Sequence, residues 1–99
     1  MTPDLLTLRV DFRDEQAAAR ITPEQANAYL AARGWTLAIV DGAFHLWTLD
    51  EKQALVPNGQ HWDSYGRRMV ELLNHLARIE GRGVLAVFVE MVAAETRGD

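Results

Sequence analysis

At 99 residues with 48 % apolar content, the chain has the length of one domain and enough apolar mass for a single core without staples. A net charge of −4 argues against broad electrostatic attachment to nucleic acid, and the absence of cysteine excludes disulfides, thiolate metal sites and cysteine nucleophiles together. No basic start leads into an apolar run, and no unbroken apolar stretch reaches about 18 residues, so neither signal peptide nor membrane span is expected and the cytoplasm is the simplest setting.

In chain order, Leu5 to Phe12 alternates, with Leu6, Leu8, Val10 and Phe12 on one side and Thr7, Arg9 and Asp11 on the other, the pattern of a half-exposed strand. Arg13 to Arg20 fits either a loop or a short helical turn. Thr22, Pro23 and Gln25 then give a capping-box helix start, and Gly34 ends that helix after Arg33, with Ala26, Tyr29 and Leu30 as its buried stripe.

Trp35 to Val40, Asp41-Gly42 and Ala43 to Thr48 read as a two-residue hairpin with a type I′ turn, which needs positive φ at both central residues. Pairing Val40 with Ala43 puts Trp35, Leu37, Ile39, Phe44 and Leu46 on one face, expected to be the core side. His45 and Trp47 then fall on the outer face with Thr36, Ala38, Val40 and Ala43. Asp50 to Gln53 reverses the chain into Ala54-Leu55-Val56, which Pro57 stops; an even-numbered loop sends Leu55 to the core side.

Asp63 or Ser64 caps the longest helix and Gly81 ends it, with Trp62, Tyr65, Met69, Leu72, Leu76 and Ile79 as an apolar seam. Gly66 lowers helix propensity near its start. Val84 to Val92, extended through Ala93, Ala94 and Glu95, reads as a helix with apolar residues around more than half its girth. It is expected either to lie between the long helix and the sheet or to form a homodimer through Val84, Phe88 and Met91. The whole, residues 1–99, is expected to be one α+β domain: a four-stranded, mostly antiparallel sheet with two to three helices on one face.

The candidate contact surface combines His45 and Trp47 with His61, Trp62, Arg67, Arg68, His75 and Arg78. His45 beside Trp47 suits a general base next to a stacking ring, or a packed pair; no carboxylate or nucleophile stands at a known catalytic spacing. Trp62 suits either a staple at the start of the long helix or a binding anchor beside His61. Arg67, Arg68, His75, Arg78 and Arg82 suit a basic strip or a solvated face, and Glu71 interrupts the strip. Nine of the ten basic residues are Arg, a bias that GC-rich coding also produces. No two histidines stand at helical ligand spacing, so no metal is expected, and no motif calls for a cofactor.

The order helix, Gly34-Trp35, strand, Gly42, strand with His45, strand ending Val56-Pro57, loop and helix resembles the small HicA-type toxin fold, a relative of the double-stranded-RNA-binding domain. The resemblance implies a ribonuclease with His45 as base. Where that family has Gly-Ser-His, this chain has Gly42-Ala43-Phe44-His45, one residue longer and without the serine, and it lacks the basic character of an RNA-cutting toxin. The stretch from Val56-Pro57 to Arg82 also resembles short bacterial and phage proteins with no assigned activity. Acidity and missing catalytic sets favour a non-enzymatic protein-binding module of a bacterial or phage accessory system, of the kind that acts as a small inhibitor or regulator; the alternatives are the HicA-like ribonuclease and a nucleic-acid binder using the Arg strip.

Overall fold

The computed structural model describes residues 14–59 and 63–94. Its elements are α1 (Glu15–Ala18), α2 (Pro23–Ala32), β1 (Thr36–Val40), β2 (Phe44–Leu49), β3 (Lys52–Pro57), α3 (Tyr65–Glu80) and α4 (Val84–Ala94). The strands form an antiparallel sheet in the order β1-β2-β3. The strand expected over Leu5 to Phe12 lies outside the described residues, as do His61 and Trp62.

The signals of α2 act as the sequence implies, whereas Ser64 stands at the N-cap of α3 without a side-chain capping bond. Thr22 Oγ1 accepts from the Gln25 amide at 3.0 Å and Gln25 Oε1 accepts from the Thr22 amide at 2.9 Å, so the capping box satisfies two donors at the start of α2. Gly34 follows the helix at φ +91° and Gly81 ends α3 at φ +66°, both conformations that a side chain resists. Arg13 to Arg20 resolves, over its described part, into the short helix α1, capped by Asp14.

Both hairpins differ from expectation. Val40 faces His45 rather than Ala43; the Asp41 amide donates to the Phe44 carbonyl, and the Ala43 amide to Asp41 Oδ1, each at 2.9 Å. This is an Asx-type turn, and Gly42 has no positive φ, because the aspartate side chain supplies the acceptor that a tighter turn would take from the backbone. At the second reversal Leu49 pairs with Lys52, leaving a two-residue turn in which Asp50 takes φ 55°, and β3 starts earlier than Ala54.

A bulge interrupts β1. Leu37 faces Trp47 but Ile39 faces Leu46, so Ala38 has no partner and the strand changes phase there. Trp35 and Leu37 consequently share the Trp47 side, while Ile39 joins Leu46 and Leu55 on the other.

On β2 and β3 the dry face is the reverse of the one expected: Trp47, Ala54 and Val56 are buried, whereas Leu55 is 53 % and Ile39 54 % exposed and Phe44 and Leu46 are half-buried. Trp35 is buried as expected, and Leu37, on the Trp47 side, is 42 % exposed. The reason is local: the bulge brings a second tryptophan to the Trp47 side, and α2 carries a polar side chain that satisfies the groups buried there.

Helices α2 and α3 both pack on β3, and α2 also reaches β1. The seam of α3 buries Tyr65, Met69, Leu72, Leu73 and Leu76. Gly66 has a packing role beyond its propensity: a Cβ there would lie 2.5 Å from the Glu15 carbonyl oxygen, so its absence lets α1 sit against α3. The Tyr65 hydroxyl donates to the Ile21 carbonyl across the same junction.

Helix α4 packs on α2 and α3 rather than between α3 and the sheet. Val84 and Met91 are buried in the chain's own core and Phe88 is partly so, which corrects the expectation that these three make a dimer contact. Gln25 Nε2 donates to the Val92 carbonyl at 2.9 Å, tying α4 to the start of α2. No described helix is long and apolar enough to cross a membrane.

Candidate functional site

His45 and Trp47 leave β2 on the same side, as their spacing requires, but that side lies beneath α2. The Asn27 side chain joins them. Its Oδ1 accepts from the Trp47 indole N–H at 2.9 Å, and its Nδ2 donates to His45 Nδ1 at 3.0 Å. Trp47 is 7 % exposed and His45 half-buried, so this pair is a satisfied polar point in the core and not the outer surface expected of it.

The expected basic strip also divides. Arg67, Arg68 and Arg78 are exposed on α3, but Arg82 turns inward. Its Nε lies 3.0 Å from Glu80 Oε1, its Nη1 pairs with Glu90 at 2.5 Å, and its Nη2 donates to the Tyr29 hydroxyl at 2.9 Å. Arg33 Nε meets the other Glu80 oxygen at 3.1 Å, and the Tyr29 hydroxyl donates to Glu80 at 2.8 Å. Two arginines, two glutamates and a tyrosine thus join α2, the end of α3 and α4. Burial, and then the Glu80 carboxylate, hold the Tyr29 phenol well above its ordinary pKa; the bond to Glu90 is the main cause of the raised pKa of Arg82.

Among the described residues, the other sheet face and its border with α3 are open. Phe44, Gln53, Leu55 and Pro57 from the strands and Arg68, Glu71, Leu72 and His75 from α3 line an open groove of about 320 Å³. The Arg68 guanidinium lies 6.0 Å from the Phe44 ring centroid and its Nη1 is 3.9 Å from Glu71 Oε1. His75 Nε2 donates to the Gln53 carbonyl at 2.7 Å. Of the expected surface residues that are described, Arg68 and His75 meet in this groove; Phe44, Gln53 and Leu55 join them unexpectedly. Pro57 was the one sequence signal for it, since a residue without N–H fixes which backbone groups of its strand face away from the ladder.

Among the described residues no three His, Asp or Glu side chains gather to hold a metal ion. A scan against protein-family models and searches of curated proteins and of solved structures found no match for the chain.

Proposed function

We propose that the chain is a non-enzymatic protein-binding module of a bacterial or phage accessory system, acting in the cytoplasm as a small inhibitor or regulator. The observation that carries this reading is the open sheet face, where Ile39 and Leu55 are each more than half exposed beside Leu46. Adjacent exposed aliphatic groups cost solvation unless a partner covers them. The net charge of −4 supports a protein over a nucleic acid as that partner. The alternation of Leu6, Leu8, Val10 and Phe12 supports a fourth strand in the sheet.

The engagement of His45 Nδ1 by Asn27 counts against a HicA-like ribonuclease, because a general base needs its acceptor nitrogen or a proton path open to substrate. Inward Arg82 likewise shortens the strip available to nucleic acid.

The test is site-specific photo-crosslinking in bacterial cells, with the reactive side chain at Ile39 and, as control, at exposed Glu24 on α2. A discrete protein adduct from position 39 and none from position 24 is the expected result. Equal adducts from both positions, or RNA cleavage by the wild type that His45→Ala abolishes, would overturn the reading.

A further inference from the structure

The ladder between β2 and β3 determines which backbone groups of β3 remain for others. Pro57 faces Phe44 and has no N–H, so that pair exchanges no hydrogen bonds; the Asn58 amide donates to the Ala43 carbonyl at 2.9 Å, so the neighbouring pair does. Bonded pairs recur at every second position, which makes His45–Val56 and Trp47–Ala54 bonded and leaves Leu46–Leu55 and Thr48–Gln53 unbonded. The N–H and C=O of Leu55 and Gln53 therefore point away from β2, towards α3. The bond from His75 to the Gln53 carbonyl fits that direction. Among the described residues the Leu55 amide and carbonyl take no partner.

These two groups open on the groove beneath α3. Leu55, Pro57 and Leu72 give it an apolar floor, and its volume of about 320 Å³ admits a few residues. Arg68, stacked over Phe44, supplies a cation at one end. Its separation from Glu71, 3.9 Å between exposed side chains, is the outer limit of ion pairing, so a closer carboxylate can compete for it.

We propose that the groove binds a short extended peptide from a protein partner, added to β3 as a further strand. The peptide backbone pairs with the Leu55 N–H and C=O, an apolar side chain rests on Leu55 and Leu72, and a carboxylate meets Arg68. This rests on the protein-binding reading and names the ligand chemistry of that surface.

The probe is a phage-displayed random dodecapeptide library selected on the full chain. Enriched sequences are expected to share alternating apolar residues with one acidic residue. The best of them, made synthetically, should shift the amide resonances of Gln53, Leu55, Arg68 and His75 and slow exchange of the Leu55 amide. Arg68→Glu should weaken it about tenfold or more. Leu55→Pro removes an N–H the ladder does not use, so it should lose binding while circular dichroism keeps the wild-type fold; if that variant unfolds, Arg68→Glu and the exchange measurement decide. Enrichment without acidic residues, unchanged affinity in Arg68→Glu, or shifts confined to β1 would overturn the proposal. Groove amides protected before peptide is added would overturn it, in favour of a second copy as occupant if the molar mass is that of two chains and of the chain's own Leu5 to Phe12 stretch if it is that of one. No peptide enrichment together with a persistent protein adduct at Ile39 would sink the groove proposal and leave the protein-binding reading standing; loss of both would remove both.

Discussion

The Trp47 indole N–H donates to Asn27 Oδ1 at 2.9 Å, and this bond explains how a face carrying a histidine and a tryptophan came to be the dry one. Without Asn27 the indole would be buried with an unpaired donor. Asn27→Ala is expected to destabilise the fold by about 1–3 kcal/mol in urea titrations. In a Trp47→Phe background the same change should cost less, since the donor it orphans is gone; equal costs in both backgrounds would show that the two side chains are uncoupled.

Gly66→Ala should destabilise although alanine is the better helix former by about 1 kcal/mol. The added methyl meets the Glu15 carbonyl at 2.5 Å, and backbone cannot step aside cheaply. A melting temperature at or above the wild type would mean that α1 moves off α3 without loss.

Glu80→Gln removes the carboxylate that both Arg33 and Arg82 meet, leaving Glu90 to serve two guanidinium groups. Because the arginine side chains are 35 % and 26 % exposed, the expected loss is about 1–3 kcal/mol, below that of a fully buried pair. The loss should shrink in a Tyr29→Phe background, where the phenol no longer depends on Glu80.

Stability should fall on the alkaline side. Burial raises the pKa of Tyr29 and Tyr65 above the ordinary tyrosine value, with Glu80 adding to the shift at Tyr29 and Glu24 at Tyr65. Folded phenols keep their protons where unfolded ones release them, so this contribution is intact below about pH 10 and declines above it, by about 1.4 kcal/mol per pH unit for each tyrosine. Unfolding followed from pH 9 to 11 should show the slope, and Tyr65→Phe should flatten it.

Deleting Ala38 should leave the pairings of Leu37 with Trp47 and Ile39 with Leu46 in place, since Ala38 is the residue without a counterpart. The straightened edge is expected to associate more readily, because a bulge is one of the devices that keeps exposed strands apart. Light scattering at rising concentration checks this: an unchanged single-chain mass would show that the bulge does not guard the edge.

The helices were legible because their signals are local. Thr22, Pro23, Gln25, Gly34 and Gly81 each act through their own backbone neighbours, and no distant residue has to be known. That Leu46 and Leu55 share a face was legible for a similar reason, as the parity of an even turn carries through the ribbon although the turn is shorter than expected. What the sequence did not disclose was which face would be dry. That depended on a phase change at Ala38, which no residue type announces, and on Asn27 arriving from another element to satisfy Trp47 and His45. The groove stayed hidden with it, because Leu55 had been assigned to the interior. The ends of α4 show the same limit: its apolar girth was plain, but whether Val84 and Met91 met α2 and α3 or another chain was a tertiary matter.

The unpaired alanine in β1 also shapes which substitutions the chain can absorb. A saturation scan across positions 35–40 should find hydrophobic demand at 35, where Trp35 is buried, and tolerance of polar residues at 37 and 39, where both side chains are exposed. Grafting this segment into another protein would therefore carry a change of pairing phase at Ala38, and a host sheet with an unbroken rhythm could match only one half of it.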